Sequence, residues 1–407
     1  MHKVIIVGGG ASGLFAAYSA SKSGKQVILL EKNEKLGKKI YITGKGRCNL
    51  TNDTDVHEFL NNVTTNQKFL YGAINTFSPQ DTQDFFRDCG LNLKVERGNR
   101  VFPLSDKASD VTKTLEKKLI ELGVDIQLNT NVNSILLNSD GYIDGVKTDK
   151  GTIYADSVII CTGGMSYPLT GSTGDGYAFA KKLGHTVTTL YPSLVGLELC
   201  GSDYSLMQGL SLKNVSIKAV LGSKTLYTDF GEMLFTHFGV SGPIILSCSC
   251  LINKYSFDNL SLHVDLKPAL NVETLNARLL REFKENSNKN ICNVLRSLLP
   301  KTLIDLVLRR AKISVNKNCS QITQEERSNL IFILKNLEFK IKGLRPITEA
   351  IVTSGGVDVK QINPKTMESK IVKGLFFAGE VLDVDAFTGG FNLQIAFSTG
   401  YVAGLNA

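Results

Sequence analysis

The sequence predicts an α/β protein in which one parallel-sheet domain is split by a long insertion. Three observations lead there. A continuous apolar run from Val4 to Val7 ends in glycines that open a helix, the pattern of a buried parallel strand feeding a crossover. A run of the same kind, Leu375-Phe376-Phe377, returns near the C-terminus. Between about residues 191 and 345 the patterning changes, first to short strands separated by turns, then to basic helices.

Each element follows in chain order. Leu14, Phe15, Ala17 and Tyr18 recur at helical spacing within a helix from Ala11 to Ser23, and Gly24 stops it. Val27–Leu30 is a second buried strand, completing a βαβ opening. Residues 33–50 carry too many glycines and lysines for regular structure and read as a functional loop. Residues 107–122 form an amphipathic helix with Val111, Leu115, Leu119 and Ile120 on its apolar side, followed by a strand from Val124 to Leu128. Three short strands, 132–137, 142–148 and 152–154, are joined by Asp-Gly and Asp-Lys-Gly turns and read as an antiparallel meander. Val158-Ile159-Ile160 is another buried strand.

In the insertion, segments 193–199, 215–221, 224–228, 231–236 and 261–266 predict a small β-barrel, and 272–335 a helical subdomain. After Pro346 the buried-strand pattern resumes with Ala350-Ile351-Val352. An apolar, glycine-bearing helix from Leu393 to Ala403, suited to close packing against a sheet, closes the chain. The expected division is 1–190 with 345–407, a barrel domain of 191–271 with 336–344, and the helices 272–335.

Composition narrows the class. With 43% hydrophobic and 21% charged residues in 407, the chain is neither disordered, collagen-like nor coiled-coil. The 46 Lys and Arg against 38 Asp and Glu give a net charge of +8, concentrated in the helical stretch of the insertion. Eight cysteines include no CxxC pair, and the histidines share no ligand-like spacing, so no metal site is expected. Neither a signal segment nor a run of about 20 apolar residues is present, so a cytoplasmic protein without membrane partners is expected.

The chemistry starts at Gly8-x-Gly10-x-x-Gly13, set between strand and helix. The first glycine permits a tight turn, the second the approach of a pyrophosphate, the third close helix–strand packing; the phosphate charge sits on the helix N-terminus. Glu31, at the end of the second strand, stands where a ribose hydroxyl acceptor belongs. A Rossmann-like dinucleotide site follows. FAD is favoured over NAD because the C-terminal segment returns to this domain. There, Gly379-Glu380 can place a carboxylate on a ribityl chain. Gly389-Gly390-Phe391-Asn392 opens a helix whose N-terminus suits the electron-rich pyrimidine edge of a flavin.

With these motifs the chain resembles the YhiN-like flavoproteins, the family that includes aminoacetone oxidases and BaiN-type reductases. The resemblance rests on the opening glycine-rich unit, Leu36-Gly37-Lys38-Lys39, Thr43-Gly44-Lys45-Gly46-Arg47-Cys48-Asn49, and Arg100-Val101-Phe102-Pro103. It extends through Thr162-Gly163-Gly164-x-Ser166-Tyr167-Pro168, Phe235-Thr236-His237-Phe238-Gly239, Thr353-Ser354-Gly355-Gly356-Val357 and the closing 377–392 stretch. Lys45 departs from the family, which often has a small residue there. The resemblance implies a split FAD domain with an inserted barrel, and a loop around Arg47, Cys48 and Asn49 lying along the flavin, with Arg47 as a fixed positive charge. The expected cofactor-binding set is completed by Ala11, Ser12, Lys32, Lys39, Thr43, Gly46, Val132, Thr162 and Gly163. Cys48 reads better as a small packed residue than as a redox thiol, having no partner cysteine.

His237 is a candidate general acid or base, against the alternative of a satisfied core histidine. Tyr167 either lines the pocket or packs. Asp383 and Asp385 read as loop chemistry rather than a catalytic pair. The expected function is an FAD-dependent oxidoreductase acting on a small molecule. Oxidative deamination of an amine such as aminoacetone, with oxygen as acceptor, stands beside NAD(P)H-dependent reduction of an unsaturated, steroid- or bile-acid-like substrate. A third reading, an RNA-binding or RNA-modifying flavoprotein, is motivated by the basic insertion but disfavoured by its dispersed charges and lack of interleaved aromatics. A flavoprotein without turnover is the fourth.

Overall fold

The computed structural model describes residues 2–407. Its first unit, Met1–Ser193 with Pro346–Ala407, is built on a five-stranded parallel sheet. The strand order is Leu375–Phe377, Ser157–Ile160, β1 (Lys3–Val7), β2 (Gln26–Leu30) and Asp125–Gln127. β1 lies between two parallel neighbours, with Val4 opposite both Val27 and Ser157. That placement explains its unbroken apolar run, since a central parallel strand is covered on both faces. Helix α1 (Ala11–Lys22) follows β1. The meander forms its own antiparallel sheet from Val132–Leu137, Ile143–Thr148 and Gly151–Tyr154.

Several expectations change. The 33–50 loop contains a short helix, Lys38–Ile42, because Ile40 is buried in the unit's core and tertiary packing outweighs its lysine-rich sequence. In the helix Ala108–Glu121, Val111, Leu115 and Leu119 are buried but Ile120 is 63% exposed, since it lies about 100° around the axis from Leu119. The strand after Pro346 is Val352–Ser354, and it pairs antiparallel with Tyr191–Ser193 instead of joining the parallel sheet. The closing helix is longer than expected, Phe391–Asn406, and its glycines face α1, not a sheet. A Cβ on Gly400 would collide with the Ser12 carbonyl, and one on Gly404 with the Ala16 carbonyl. Ser19 Oγ donates to the Tyr401 carbonyl at 2.7 Å, and Lys25 Nζ donates to the Gly404 and Leu405 carbonyls at 3.0 and 2.9 Å. Phe15 of α1 lies 4.5 Å from Phe397 and 4.9 Å from Phe85, ring centre to ring centre. N- and C-terminal segments thus share one core.

The second unit, Leu194–Arg345, is a closed six-stranded antiparallel barrel. Its order is Leu197–Leu199, Gly239–Ser241, Lys224–Thr236, Ser211–Leu221, Leu260–Asp265 and Leu337–Leu344. Segments 224–228 and 231–236, read as two strands, are one long strand. Gly231 within it leaves space that Ile244 occupies. The helices Val272–Glu285, Lys301–Arg310 and Gln324–Lys335 share the barrel's core. This unit holds 20 Lys and Arg against 13 Asp and Glu, while the first unit holds 26 against 25.

Replacing Gly404 with Val should separate α1 from the closing helix and destabilise the protein by about 1–3 kcal/mol. A thermal melt checks this: an unchanged midpoint would show that the two helices are not locked at this point.

Candidate functional site

Sheet geometry dictates where a ligand goes. In an open parallel sheet, ligands bind beyond the carboxyl ends of the strands. The segments following those ends here are Gly8–Gly13, Glu31–Asn33, Thr162–Tyr167 and Gly379–Glu380.

Gly13 fits α1 against the first turn: a Cβ there would strike the Gly8 carbonyl. Gly10 is the helix N-cap and provides no side-chain cap, and a Cβ on it would meet nothing within 4 Å. The helix N-terminus, including the backbone of Ala11 and Ser12, therefore has uncapped N–H groups beside open space and no acidic residue in its first turn. These residues fit a dinucleotide pyrophosphate.

Glu31 is buried at the end of β2. Its Oε2 accepts from Gly9 N at 2.7 Å, and its Oε1 from Asn33 N and Nδ2 at 2.8 and 2.6 Å. These three bonds fix the carboxylate at the glycine turn and leave about one acceptor site, on Oε2, for a hydroxyl donor. Val132 is buried on the first meander strand, and Glu31 O accepts from Thr130 N at 3.0 Å nearby in sequence. Lys32 is turned instead to Thr173 and Asp175, both at 2.6 Å.

Lys39 and Glu380 meet. Lys39 Nζ lies 2.7 Å from Glu380 Oε2 and 2.5 Å from Ser166 Oγ, while Glu380 Oε1 accepts from Ser166 Oγ and Thr353 N, both at 2.8 Å. Three segments distant in sequence thus converge on one carboxylate. Sequence reasoning read Glu380 as a ribityl ligand and did not foresee this junction, because its partners lie far away in sequence. Gly379 packs on Ser12, where a Cβ would come within 2.5 Å of its Oγ, and Gly379 N donates to Thr399 Oγ1 at 2.9 Å. Thr162 Oγ1 is buried without a partner, and Gly163 has φ 72 beside Ser172.

The glycine-lysine loop is strongly bent. Gly44, Lys45, Gly46 and Cys48 all have positive φ, so Lys45 occupies a left-handed position that a glycine would take with less strain. Thr43 Oγ1 donates to the Ile40 carbonyl at 2.7 Å. Arg47 pairs with Glu96 and Asp106 and stacks over Phe102, 4.2 Å from the ring centre. Lys94 joins the cluster, 2.6 Å from Asp106. The expected flavin-side charge of Arg47 is thus engaged within the protein, and the two acids that engage it were missed because they lie about 50 and 60 residues away in sequence. Cys48 is fully buried, and desolvation pushes its thiol up to about 12.

The other end of the site is the start of the closing helix. Gly390 is an N-cap without a side-chain cap, and no acid lies in the first turn. The strand Thr51–Asn52 runs beside it: a Cβ on Gly390 would collide with the Thr51 carbonyl, and Asn52 Nδ2 donates to the Gly389 carbonyl at 3.0 Å. Phe391 is buried against Phe59 at 5.2 Å. Asn392 clamps the preceding loop, accepting from Ala386 N at 3.0 Å and donating to its carbonyl at 2.8 Å.

Tyr167 is half-buried with φ 50, held through its backbone by Thr348 and Thr170. His237 lies in the second unit, exposed, in the two-residue turn between Lys224–Thr236 and Gly239–Ser241, and its ring meets Phe238 edge-on. It is therefore not a core histidine. Asp385 is buried and accepts from Ser193 and Ser354 hydroxyls, a structural role. Among the described residues no group of three metal-ligating side chains occurs, and no helix is long and apolar enough to cross a membrane.

Two outcomes follow from the bent loop. A thiol reagent at pH 8 should leave Cys48 unmodified in the folded protein and label it only on unfolding, as peptide mass mapping would read. Arg47 holds Glu96 below the usual carboxylate range, and Lys94 and then Arg47 do so for Asp106. Depressed carboxyls stabilise the fold above their unfolded values and lose that stabilisation as pH falls through the folded ones. The melting difference between wild type and Arg47→Ala should therefore shrink as pH drops below about 4; a pH-independent difference would contradict it.

Comparison with known proteins places the chain. Residues 2–406 match the family described as HI0933-like protein Rossmann domain. The chain is 33% identical to a 3-dehydro-bile acid delta(4,6)-reductase of Clostridium scindens, covering 99% of this chain and 98% of the relative. It is 32% identical to a ribosomal RNA dihydrouridine synthase of Haemophilus influenzae, covering 99% and 97%. A solved 3-ketosteroid delta1-dehydrogenase from Sterolibacterium denitrificans shares the fold, with TM-score 0.53 at 13% identity over 99% of each chain. The glycine-rich strand–helix turn, the split parallel-sheet unit and the whole-length match together show that this chain belongs to the HI0933-like Rossmann family of FAD-dependent oxidoreductases.

Proposed function

We propose that this protein is an FAD-dependent reductase that saturates a carbon–carbon double bond conjugated with a carbonyl, on a small steroid- or bile-acid-like substrate, with NAD(P)H as transient electron donor. The observation that carries the reading is the pair of relatives matched over nearly their whole length. A 3-dehydro bile acid with delta(4,6) unsaturation and a uridine have one reducible feature in common, an alkene conjugated with a carbonyl. The names favour reduction over oxidative deamination of an amine such as aminoacetone.

FAD, when bound, supplies the hydride. The amides of α1 at Gly10–Gly13 bind the pyrophosphate, and Glu31 accepts from the ribose. The N-terminus at Gly390 carries the pyrimidine edge, where its positive dipole end favours the anionic reduced state. Tyr167 donates the proton that balances the hydride: its phenol is half-buried, and its left-handed backbone is a strained position of the sort found at active sites. The Lys39–Glu380–Ser166 junction positions the loop that carries Tyr167.

A second substrate, a uridine in RNA, is supported by the second of these relatives and by the net charge of the inserted unit, though its charges are dispersed along the chain. The second unit carries nearly the whole net charge of the chain, as a polyanion-binding module would.

Anaerobic NADH or NADPH should bleach the flavin, and the reduced enzyme should add two hydrogens to a 4-en-3-one steroid, read by mass. Failure of both nucleotides would remove them as donors. Transfer to a uridine-containing ribosomal RNA fragment, with binding that weakens steeply with salt, would select the second substrate. Tyr167→Phe should lower turnover by roughly 10²–10⁴-fold with unchanged FAD affinity; wild-type turnover would sink its role as proton donor.

A further inference from the structure

A buried histidine ties the edge of the parallel sheet to the turn that leads into it. His185 follows the helix Asp175–Lys182 and is 4% exposed. Its ring stands edge-on to Phe377, 5.0 Å between ring centres, on the edge strand Leu375–Phe377. Its Nε2 lies 2.7 Å from Ser369 Oγ. That hydroxyl oxygen already accepts twice, from Ile371 N at 3.0 Å and from Val372 N at 2.9 Å. A hydroxyl has two lone pairs and one hydrogen. With both lone pairs taken, the Ser369 hydrogen is what points at the ring. Nε2 is therefore the acceptor, and the ring's own hydrogen sits on Nδ1, which has no hydrogen-bond partner.

The turn that Ser369 closes folds back along the edge strand. Ser369 N donates to the Leu375 carbonyl at 2.7 Å, and Phe377 N to the Met367 carbonyl at 3.1 Å. Past Phe377 the chain runs directly into Gly379 and Glu380 of the candidate site. A protonated ring carries a hydrogen on both nitrogens. At Nε2 that hydrogen would meet a hydroxyl with no lone pair free, so either the ring or the turn amides must let go. No neighbouring charge offsets this. On the helix side Asp175 is paired with Lys32, Tyr177 donates to the Glu380 carbonyl, and Lys181 and Lys182 are exposed. On the turn side Glu368 accepts from Gly374 N, Asp358 from Lys360 N, and Lys370 donates to the Lys360 carbonyl; Lys365 and Lys373 are exposed. Burial holds the imidazole below its ordinary value, and the Ala180 carbonyl opposes this only in part.

We propose that His185 and Ser369 form an acid-sensitive latch on the edge strand of the parallel sheet. The neutral ring accepts the Ser369 hydroxyl and keeps the 369–372 turn folded against the strand. A proton taken from solvent at Nε2 breaks that bond and frees the turn. Because the ring is buried, a proton reaches it only as the turn opens, so uptake and opening are one event. A base held neutral in the fold stabilises it above the unfolded value, about 6.5 for histidine, and that stabilisation is lost as pH falls from there through the lower folded value. Acid thus acts on the candidate site through the strand that leads to Gly379–Glu380, not through a group within it. The latch is independent of which cofactor or substrate the site takes.

Amide hydrogen exchange of the full chain, resolved by segment and corrected for the intrinsic effect of pH, tests the latch. Between about pH 7.5 and about pH 5.5, on either side of the ordinary histidine value, the 367–377 segment should come to exchange roughly five- to tenfold faster, the size of one hydrogen bond. Helix α1 and the helix Ala108–Glu121 should not change. His185→Gln, an acceptor that cannot be protonated, should lose the response. Ser369→Ala should exchange fast at both pH values. Wild-type histidine nitrogen spectra cover the case in which these variants do not fold: the His185 ring should be the Nδ1–H tautomer, with a midpoint below the ordinary histidine value. An Nε2–H tautomer would overturn the latch. So would a pH response that survives His185→Gln, or one spread evenly over the first unit, which would be general acid destabilisation.

Discussion

The contact on which the rest of this protein depends is the close approach of its first and last long helices. Gly400 and Gly404 lie so near the Ser12 and Ala16 carbonyls that no side chain fits between them. That approach brings the C-terminal segment to the glycine-rich turn that follows β1. Gly379 then rests on Ser12, and Glu380 reaches Lys39 and Ser166. Without it, the two halves of the proposed cofactor site would belong to chain segments nearly 400 residues apart, with no reason to meet.

A second constraint is electrostatic. The two proposed cofactor-facing helix starts, at Gly10 and Gly390, lack both side-chain caps and first-turn acids. Other helices in this chain do have such groups: Ser78 and Thr323 both form capping boxes. Leaving two N-termini uncapped gives up that stabilisation where a ligand can supply it. The cations around these helix starts, by contrast, are engaged. Lys32, Lys39 and Arg47 all have acidic partners, so they shape loops and do not stand ready as free charges. In the proposed cofactor site, anion binding is left to backbone dipoles, which need no counter-ion of their own.

The fold's opening was legible because local signals suffice for it. The Gly8–Gly13 spacing, the apolar runs of β1 and β2 and the meander turns each depend on residues close in sequence. The barrel was legible as a barrel, though its longest strand read as two. The site was legible in part. Glycine positions, Glu31 and the closing helix start could be read from spacing. The partners of Arg47 and Glu380 could not, because each partner lies tens to hundreds of residues away.

By itself the sequence determined the class of protein, the split of its sheet domain and the place of the glycine-rich strand–helix turn, since these follow from periodicity and from the steric demands of glycine. It also located the excess positive charge in the insertion, which a residue count decides. Tertiary structure decided the rest. It placed the closing helix on α1, turned 38–42 into a helix through the burial of Ile40, and sent the 352–354 strand to a separate pairing. It committed Arg47 to two distant acids. The division has one physical cause. Backbone propensity and hydrophobic period act over a few residues, whereas the satisfaction of a buried polar group depends on whatever the folded chain brings within 3 Å of it.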